Sequence, residues 1–353
     1  MINFLLALLA LSLLIFIHEL GHFVVGKLSG AQVEEFGFGY PPRLVGKKIG
    51  ETIYSFNLIP FGGFTKFLRD SDSPDSFEAL SWQKRAGILI AGVVANFVLG
   101  WLVLTILFSI GNPLFEGRVV ATKVPESSPA AGGGLQVGDV FVSLNGKEVS
   151  SWVDLNLRLR GNLGKEVELY VCEQTEWENN SENCGRSVVV SLPEEVPAGQ
   201  GPLGITTSAV GEEKIVKVPF WQAPKMAFKE SILLMNSMFS GISLMVRRLL
   251  FEGQVPRELS GTVGAFQAVK EASQLGFRYL LQMVALLSLN LSLFNLFPIP
   301  ALDGGQLLFL GVEAFSGQKV SPKIKEWVNF VGMGMLLLLM ILVTIQDIRR
   351  LVS

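Results

Sequence analysis

Charged residues are scarce in this sequence. Only 17% of its 353 residues are charged, against 49% that are hydrophobic, and the mean hydropathy is +0.44. This balance excludes an ordinary soluble globular protein and indicates a polytopic membrane protein with a soluble part. The net charge of −2 gives no indication of nucleic-acid binding.

Histidine is scarcer still, since His18 and His22 are the only two. They lie four residues apart with Glu19 directly after the first, so on a helix both imidazoles face one side. Two such imidazoles can bind one metal ion, and the glutamate can act as general base on a water at that ion. Zinc would lower the pKa of this water to about 7.

The histidine pair lies inside an apolar run of about 20 residues, long enough to span a bilayer. Residues 4–17 carry no charge, and residues 23–26 are again apolar or small. An ionisable group at membrane depth is costly, so it indicates a functional site. The alternative is a chance pattern on a structural helix, but the glutamate would then have no role. The run lacks the basic start and small-residue cleavage site of a signal peptide.

Three further apolar segments predict membrane spans, at residues 86–110, at residues 279–296, and in a last span centred on residues 333–345. Basic residues between the first two spans put that loop on the cytoplasmic side and the N-terminus outside. Residues 226–246 are also apolar, but we expect an amphipathic helix at the outer interface. If residues 226–246 crossed the membrane, the next span would start on the inside and run antiparallel to the first. An arginine pair after this segment favours the opposite choice, a further span.

Residues 117–206 differ in character, with alternating apolar residues, frequent glycine and charges of both signs. They predict one small, mostly β domain with a helix at 151–159, and the Asn-Gly pair at 145–146 predicts a hairpin turn. Cys172 and Cys184 lie in this domain, away from the histidines, and are poor candidates for zinc ligands. We expect them to form a disulfide, because we place the domain on the outer, oxidising side; two free thiols are the alternative.

Two irregular segments flank the predicted spans. Residues 52–58 are β-prone and bounded by glycine and proline, which predicts a β-hairpin or short sheet. The third span breaks at the prolines and glycines of residues 298–305, which is tolerated only where protein or a water-filled cavity covers the backbone. Asp303 lies in this break. Catalytic zinc usually has three protein ligands, so Asp303 is the candidate for the third, unless it only caps the following helix.

Three stretches of the chain carry a family resemblance. They read FIHELGHF at 16–23, PFGGF at 60–64 and NLSLFNLFPIPALDGG at 290–305. These stretches resemble the site-2 protease family, and most closely its RseP-type bacterial intramembrane zinc metalloproteases. The resemblance implies that His18, His22 and Asp303 are zinc ligands, that Glu19 is the catalytic base, and that Asn295 contacts the substrate.

The same resemblance implies a fold of about four transmembrane helices, a membrane-inserted β-hairpin and one small PDZ-like domain on the periplasmic side. The hairpin would include Gly62 and Gly63, which are expected to contact the substrate. Val93 stands where family members often carry proline, which leaves the shape of the second helix open. The best-known relatives have two PDZ domains, whereas this chain has room for one. The expected divisions are a membrane core at 1–116, the PDZ-like domain at 117–206, interfacial amphipathic helices at 207–278 and a second membrane core at 279–353.

The expected activity is zinc-dependent cleavage of a transmembrane segment in the bacterial inner membrane. The substrate would be a membrane protein such as an anti-sigma factor or a signal-peptide remnant, cut after a first protease has acted. We expect the substrate to add as a strand to an edge at 52–58, and the Asn295 amide to clamp its backbone. The alternative for Asn295 is a buried amide that satisfies the proline-broken helix.

Two other functions compete with proteolysis. The first is a non-catalytic metal-binding membrane scaffold whose PDZ-like domain captures peptide ends, but such a site gains nothing from Glu19. The second is a metal transporter, which would need polar residues along several helices. The sequence leaves open the substrate, the oligomeric state, and whether the PDZ-like domain excludes bulky substrates or binds new carboxyl termini.

Overall fold

A computed structural model describes residues 2–68, 73–149, 152–179, 184–194, 196, 201–252 and 262–352. The chain divides into two compact units. The helical unit comprises Met1–Asn112, Lys217–Arg247 and Glu258–Ser353, and the β unit comprises Pro113–Val216 and Arg248–Arg257.

Both units contain helices and strands. The helices are α1 Ile2–Ser29, α2 Trp82–Ile110, α3 Pro129–Gly132, α4 Trp152–Arg160, α5 Gln174–Asn179, α6 Ala223–Glu252, α7 Thr262–Leu275, α8 Phe277–Leu296, α9 Asp303–Ser316 and α10 Pro322–Val352. The strands are β1 Val33–Ile49, β2 Thr52–Phe67, β3 Asn112–Lys123, β4 Asp139–Leu144, β5 Lys147–Glu148, β6 Glu166–Glu173, β7 Arg186–Ser191 and β8 Thr206–Val216.

Among the described residues, four helices are long and apolar enough to cross a membrane. They are Leu6–Ser29, Trp82–Ile110, Phe277–Leu296 and Lys323–Ile345. These four segments coincide with the four spans expected from the apolar runs. Helix α2 is continuous through Val93, so the missing proline leaves a regular second helix.

The ends of the helices show how the spans alternate in direction. Lys84, at the start of α2, donates from Nζ to the carbonyl of Ser29 at the end of α1 over 3.0 Å. Arg278, at the start of α8, donates to the carbonyl of Ile110 at the end of α2 over 3.3 Å. Helix α2 is therefore antiparallel to both α1 and α8, and α8 runs in the same direction as α1.

A buried ion cluster joins α2, α9 and α10. Arg85 of α2 lies 2.6 Å from Glu313 of α9, and both side chains are 4% exposed. Lys325 of α10 approaches the other oxygen of Glu313 at 2.8 Å. Removing one member of such a buried pair leaves an uncompensated charge, so the cluster holds α9 in register with its neighbours. Asp303, the first residue of α9, is positioned by the same helix.

The helical unit has its main apolar core where α1, α2 and α8 meet. Small residues of α1 pack against leucine, valine and phenylalanine side chains of α2. Helices α6 and α7 each contribute buried apolar side chains to the same core. The core residues are Ala7, Ala10, Leu14, Val103, Leu104, Leu107, Phe108, Ala223, Ala227, Val269, Val284, Ala285 and Leu289. Small side chains on one helix allow close approach of the next, which is the usual packing of membrane helices.

Strands β1 and β2 each reverse direction near the middle. Each strand therefore supplies two paired segments to one small sheet. Residues 33–38 pair antiparallel with residues 63–67 on one side, and on the other side they pair with residues 53–56 in a parallel register. Residues 43–49 pair with residues 52–57. The free edges of this small sheet are therefore residues 63–67 and 43–49.

The expectation that residues 52–58 offer an exposed edge is wrong, because most of that run is paired on both sides. The reason lies in two turns that let the chain double back. Gly39 and Gly62 adopt positive φ angles of 78° and 76°. A side chain is strained in this conformation, and at Gly39 it would also meet the carbonyl of Ile59 at 2.6 Å.

The β unit is built on a six-stranded sheet of order β7-β6-β4-β3-β8, with β5 paired to β4. In β6, Val167, Leu169 and Val171 are buried and alternate with exposed residues, as expected for a strand with one covered face. Asn145 and Gly146 both have positive φ, at 48° and 73°, so the predicted Asn-Gly hairpin turn is confirmed.

Three features of the β unit bear on the expectations. The predicted helix at 151–159 corresponds to α4, and Cys172 and Cys184 are paired in a disulfide with their Cα atoms 5.4 Å apart. Residues 207–216 form most of strand β8 rather than an interfacial helix. Their alternation is interrupted by Gly211 and by charged residues, which concealed the strand in the sequence.

Candidate metal centre

Helix α1 brings the two histidines together deep in the helical unit. His18 and His22 lie one turn apart, with their Nε2 atoms separated by 3.1 Å. Both are buried, at 7% and 6% exposure. The spacing in the sequence therefore produces the convergence of nitrogen atoms that it predicts.

Asp303 completes the cluster from the other end of the chain. Its Oδ2 lies 3.0 Å from His18 Nε2 and 3.2 Å from His22 Nε2. Ligand atoms around a tetrahedral zinc, with bonds of about 2.0–2.2 Å, are separated by roughly 3.3 Å. The three atoms thus fit one zinc ion with a fourth position left for water or substrate. Leu302, not Asp303, is the N-cap of α9, so the capping alternative is not what the structure shows.

The hydrogen bond of His22 shows which of its ring nitrogens is available. Nδ1 donates to the carbonyl of Ile88 over 2.8 Å, which leaves Nε2 of the neutral ring with its lone pair. Metal-binding histidines usually donate their second ring nitrogen in this way. The lone pair on Nε2 points toward a carboxylate oxygen, an arrangement that a bound cation stabilises. The donor set and its orientation both suit zinc.

Glycine at two positions lets α1 and α2 approach closely enough to build this site. A Cβ atom on Gly92 of α2 would lie 2.5 Å from His22 Nε2 and 2.7 Å from His18 Cε1. A Cβ on Gly21 of α1 would lie 2.4 Å from the carbonyl oxygen of Ala91. Any larger residue at either position would separate the helices or displace the imidazoles.

The loop before α9 is held in an unusual conformation. Ala301 has a positive φ of 73°, which is strained for a residue with a Cβ atom. Its backbone N–H donates to Asn329 Oδ1 of α10 over 3.2 Å. Gly304 packs so tightly that a Cβ there would lie 2.0 Å from the carbonyl oxygen of Phe297. These contacts fix the backbone that carries Asp303.

Glu19 lies beside the metal cluster, and its backbone is held by the β1–β2 sheet. A ligand atom of Glu19 lies within 4.8 Å of those of His18 and His22. Among the described residues, Asp303 is the carboxylate that approaches both ring nitrogens at ion-pair distance, at 3.0 and 3.2 Å. The Thr65 hydroxyl donates to the Glu19 carbonyl over 2.9 Å. Asp303 is thus the nearer carboxylate, and Glu19 is left free for another role.

The other expected site residues lie near this centre without touching the ligand atoms. Gly62 and Gly63 pack on α1 in the turn before His18, where Cβ atoms would meet Ile15 at 2.7 Å and Phe16 at 3.1 Å. Asn295 is 9% exposed on α8. Within the described residues its amide has no hydrogen-bond partner, whereas the backbone after α8 is satisfied by its own turns.

Several residues that shape the centre were not identified from the sequence, namely Gly92, Thr65 and Asn329. Their roles depend on which elements pack together. Only Gly92 gave a usable signal, because it lies one helical turn from Ile88 and from Asn96 on an otherwise apolar span.

Comparison with known proteins agrees with this geometry. The model of peptidase family M50 matches residues 6–339. A relative from Clostridium acetobutylicum, named provisionally as a zinc metalloprotease, is 33% identical over 98% of this chain and 97% of its own. A relative from Clostridium perfringens with the same provisional name is 34% identical over 97% of both chains. The zinc metalloprotease RasP of Shouchella clausii is 29% identical over 99% of this chain and 100% of its own.

The family match covers both segments that form the metal centre, from the histidine pair to Asp303. The four apolar helices and the family together indicate a bacterial membrane protein. The chain therefore belongs to peptidase family M50, the site-2 protease family, and is a zinc metalloprotease.

Proposed function

We propose that this zinc metalloprotease cleaves transmembrane segments of membrane proteins within the bilayer, with His18, His22 and Asp303 as its zinc ligands. The observation that carries the proposal is the convergence of three ligand atoms within 3.2 Å, two of them on an apolar helix long enough to span the membrane. Charged and metal-binding groups at that depth are costly unless they serve a function.

Glu19 is the proposed general base. Zinc, when bound, supplies a Lewis acid that polarises the scissile carbonyl and makes water more acidic. The Glu19 carboxylate takes a proton from the attacking water and later gives it to the leaving amine. The Thr65 hydroxyl on the Glu19 carbonyl steadies the helix backbone at this residue.

A transmembrane helix must be unwound before it can be cut, because its peptide bonds are shielded by hydrogen bonds. Addition of the substrate as a strand to a free sheet edge would do this. The edge at residues 63–67 is the better candidate, since it includes Gly63 and Thr65 and lies against the helix that carries Glu19. The Asn295 amide, which has no hydrogen-bond partner within the described part of the chain, is available to bind the extended substrate backbone.

The directions of the helices favour an interfacial position for α6. Since the end of α2 contacts the start of α8, the chain between them makes an even number of crossings. Helix α7 has 14 residues, fewer than a span needs, so α6 cannot be the single additional crossing. With the basic loop inside, we infer that the β unit lies outside, on the periplasmic face of the inner membrane.

The β unit is proposed to select substrates as a PDZ-like domain. Helix α4 and residues 201–207 border a groove of about 360 Å³, lined by Leu155, Asn156 and Leu159 on the helical side. Such a groove could bind the new carboxyl terminus left by a first protease. Alternatively, the domain could exclude membrane proteins whose outer parts are still bulky. Both accounts fit substrates such as anti-sigma factors or signal-peptide remnants that have already been trimmed.

The proposal is tested by separating metal binding from cleavage. The purified protein in lipid nanodiscs is mixed with a panel of single-span membrane proteins, each in full-length and outer-domain-trimmed form, with and without a zinc chelator. We expect chelator-sensitive cuts within the membrane segment. Glu19→Gln should retain about one zinc per chain and lose cleavage, because the ligands survive and the base does not. Undiminished cleavage by this variant would refute the role of Glu19.

A further inference from the structure

We propose that Asn96 is a positioning residue that holds the His18 imidazole through Nδ1, so that Nε2 is directed to the metal. The inference rests on the proposed ligand set, since it concerns how one of those ligands is oriented. The Asn96 amide would support His18 by a hydrogen bond at Nδ1, as the Ile88 carbonyl supports His22 at its Nδ1.

The geometry comes from one stripe of α2. Ile88, Gly92 and Asn96 lie at successive four-residue steps and therefore on one face of the helix. The Ile88 carbonyl accepts from His22 Nδ1 at 2.8 Å, and Gly92 leaves room for both rings. The Asn96 amide lies 3.4 Å from His18 Nδ1. Ile88 and Asn96 on this face thus contact the two imidazoles at Nδ1, the ring nitrogen that does not face Asp303.

Burial makes this amide unlike a surface asparagine. Asn96 is 0% exposed, and its Oδ1 has no hydrogen-bond partner among the described residues. A buried acceptor without a donor costs about 1–3 kcal/mol. A half-turn of the amide presents Oδ1 to His18, where it accepts the Nδ1–H. In that state the neutral ring keeps its lone pair on Nε2, the atom that lies beside Asp303.

The backbone at Asn96 is held in place by α8. Ser288 donates to the carbonyl of Asn96 over 2.7 Å, and Ser292 donates to the carbonyl of Val93 over 2.8 Å. Both serines are buried, at 0% and 1% exposure. The helix therefore cannot easily rotate to move the amide away from His18. The only side-chain hydrogen bond that the Asn96 amide makes among the described residues is to this histidine.

The test compares a substitution that removes the acceptor at position 96 with one that keeps it. Asn96→Leu keeps approximate size and removes the acceptor, whereas Asn96→Asp keeps the acceptor. Asn290→Leu is the control, because Asn290 also has a buried, unpartnered Oδ1 and has no hydrogen bond to either histidine in the described residues. Zinc affinity is measured by chelator competition on the full-length protein. The absorption spectrum of the cobalt-substituted protein reports ligand geometry, and thermal unfolding of the metal-free protein reports folding.

We expect Asn96→Leu to weaken zinc binding by about 10–100-fold and to alter the cobalt spectrum, as for other residues that support metal ligands. Asn96→Asp should restore both, and Asn290→Leu should leave zinc affinity unchanged. Equal affinity in wild type and Asn96→Leu overturns the proposal, and so does an equal loss in Asn96→Leu and Asn96→Asp. His18→Ala provides the separate check: normal zinc content there would refute the ligand set itself, whereas zinc loss there with normal Asn96→Leu refutes only the positioning role.

Discussion

Substitution of Gly92 by alanine should disable the metal centre while leaving the fold intact. The added methyl group would lie 2.5 Å from His22 Nε2, 2.6 Å from His22 Cε1 and 2.7 Å from His18 Cε1. Favourable contact between such atoms needs about 3.5–4.0 Å, so the overlap is about 1 Å.

Two hydrogen bonds oppose relief of this overlap by a shift of α2 away from α1. Ser288 and Ser292 of α8 donate to backbone carbonyls of α2 and hold its position. The imidazoles must therefore move by about the overlap. Overpacking costs about 1–3 kcal/mol, and replacing glycine by alanine within a helix regains about 1 kcal/mol. The net loss of folding stability should be about 2 kcal/mol or less.

The effect on the metal should be much larger than the effect on stability. A misplacement of about 1 Å at a catalytic group commonly costs about 100-fold. We expect zinc affinity to fall by about 100-fold or more, with a parallel loss of cleavage. The assay is zinc content by mass spectrometry after dialysis against graded chelator, together with thermal unfolding of the metal-free protein.

Gly87→Ala is the matched control, because Gly87 lies on the same helix and an added Cβ there meets no atom within 4 Å. It should keep its zinc. If Gly92→Ala binds zinc as tightly as Gly87→Ala, the tight fit between α2 and the histidines does not shape the site, and the reasoning fails.

Three other outcomes are expected. Asp303→Asn should lower zinc retention, because the charged third ligand is lost; normal zinc content by mass spectrometry would remove Asp303 from the ligand set. Asn295→Ala should raise the KM for a membrane substrate and leave zinc content normal, since its amide contacts no ligand; an unchanged KM in nanodisc kinetics would contradict the clamp. Deletion of residues 113–216 distinguishes the two roles of the β unit in a cleavage assay. If the unit excludes bulky proteins, untrimmed substrate becomes cleavable; if it captures carboxyl termini, even trimmed substrate is cut poorly. Intact untrimmed substrate with normal cutting of trimmed substrate would contradict both.

Patterns of nearby residues in the sequence predicted the features whose conformation is set by residues close in the chain. The spacing of His18 and His22 fixes their common face on a helix whatever surrounds it. The apolar runs predicted the four spans because their length must match the bilayer. The Asn-Gly pair predicted a tight turn because both residues tolerate positive φ.

The sheet of β1 and β2 shows where local patterns fail. The β-prone character of residues 52–58 was correct, but their pairing on both sides depends on how the chain folds back at Gly39 and Gly62. Strand propensity does not distinguish a central strand from an edge, because it reports a fit to a pleated surface rather than a partner. Strand β8 was missed for a related reason, since its place in the sheet depends on β3.

The sequence by itself determined the histidine pair, its glutamate and its apolar helix, and through family resemblance it indicated Asp303 as the third ligand. Only the tertiary structure decided how these groups are held. Asp303 reaches the histidines because the ion cluster and a strained loop fix α9, and the imidazoles are oriented by a face of α2 that includes Gly92 and Asn96. Contacts between helices distant in the chain leave no periodic signal in either helix alone, because each depends on the packing of both.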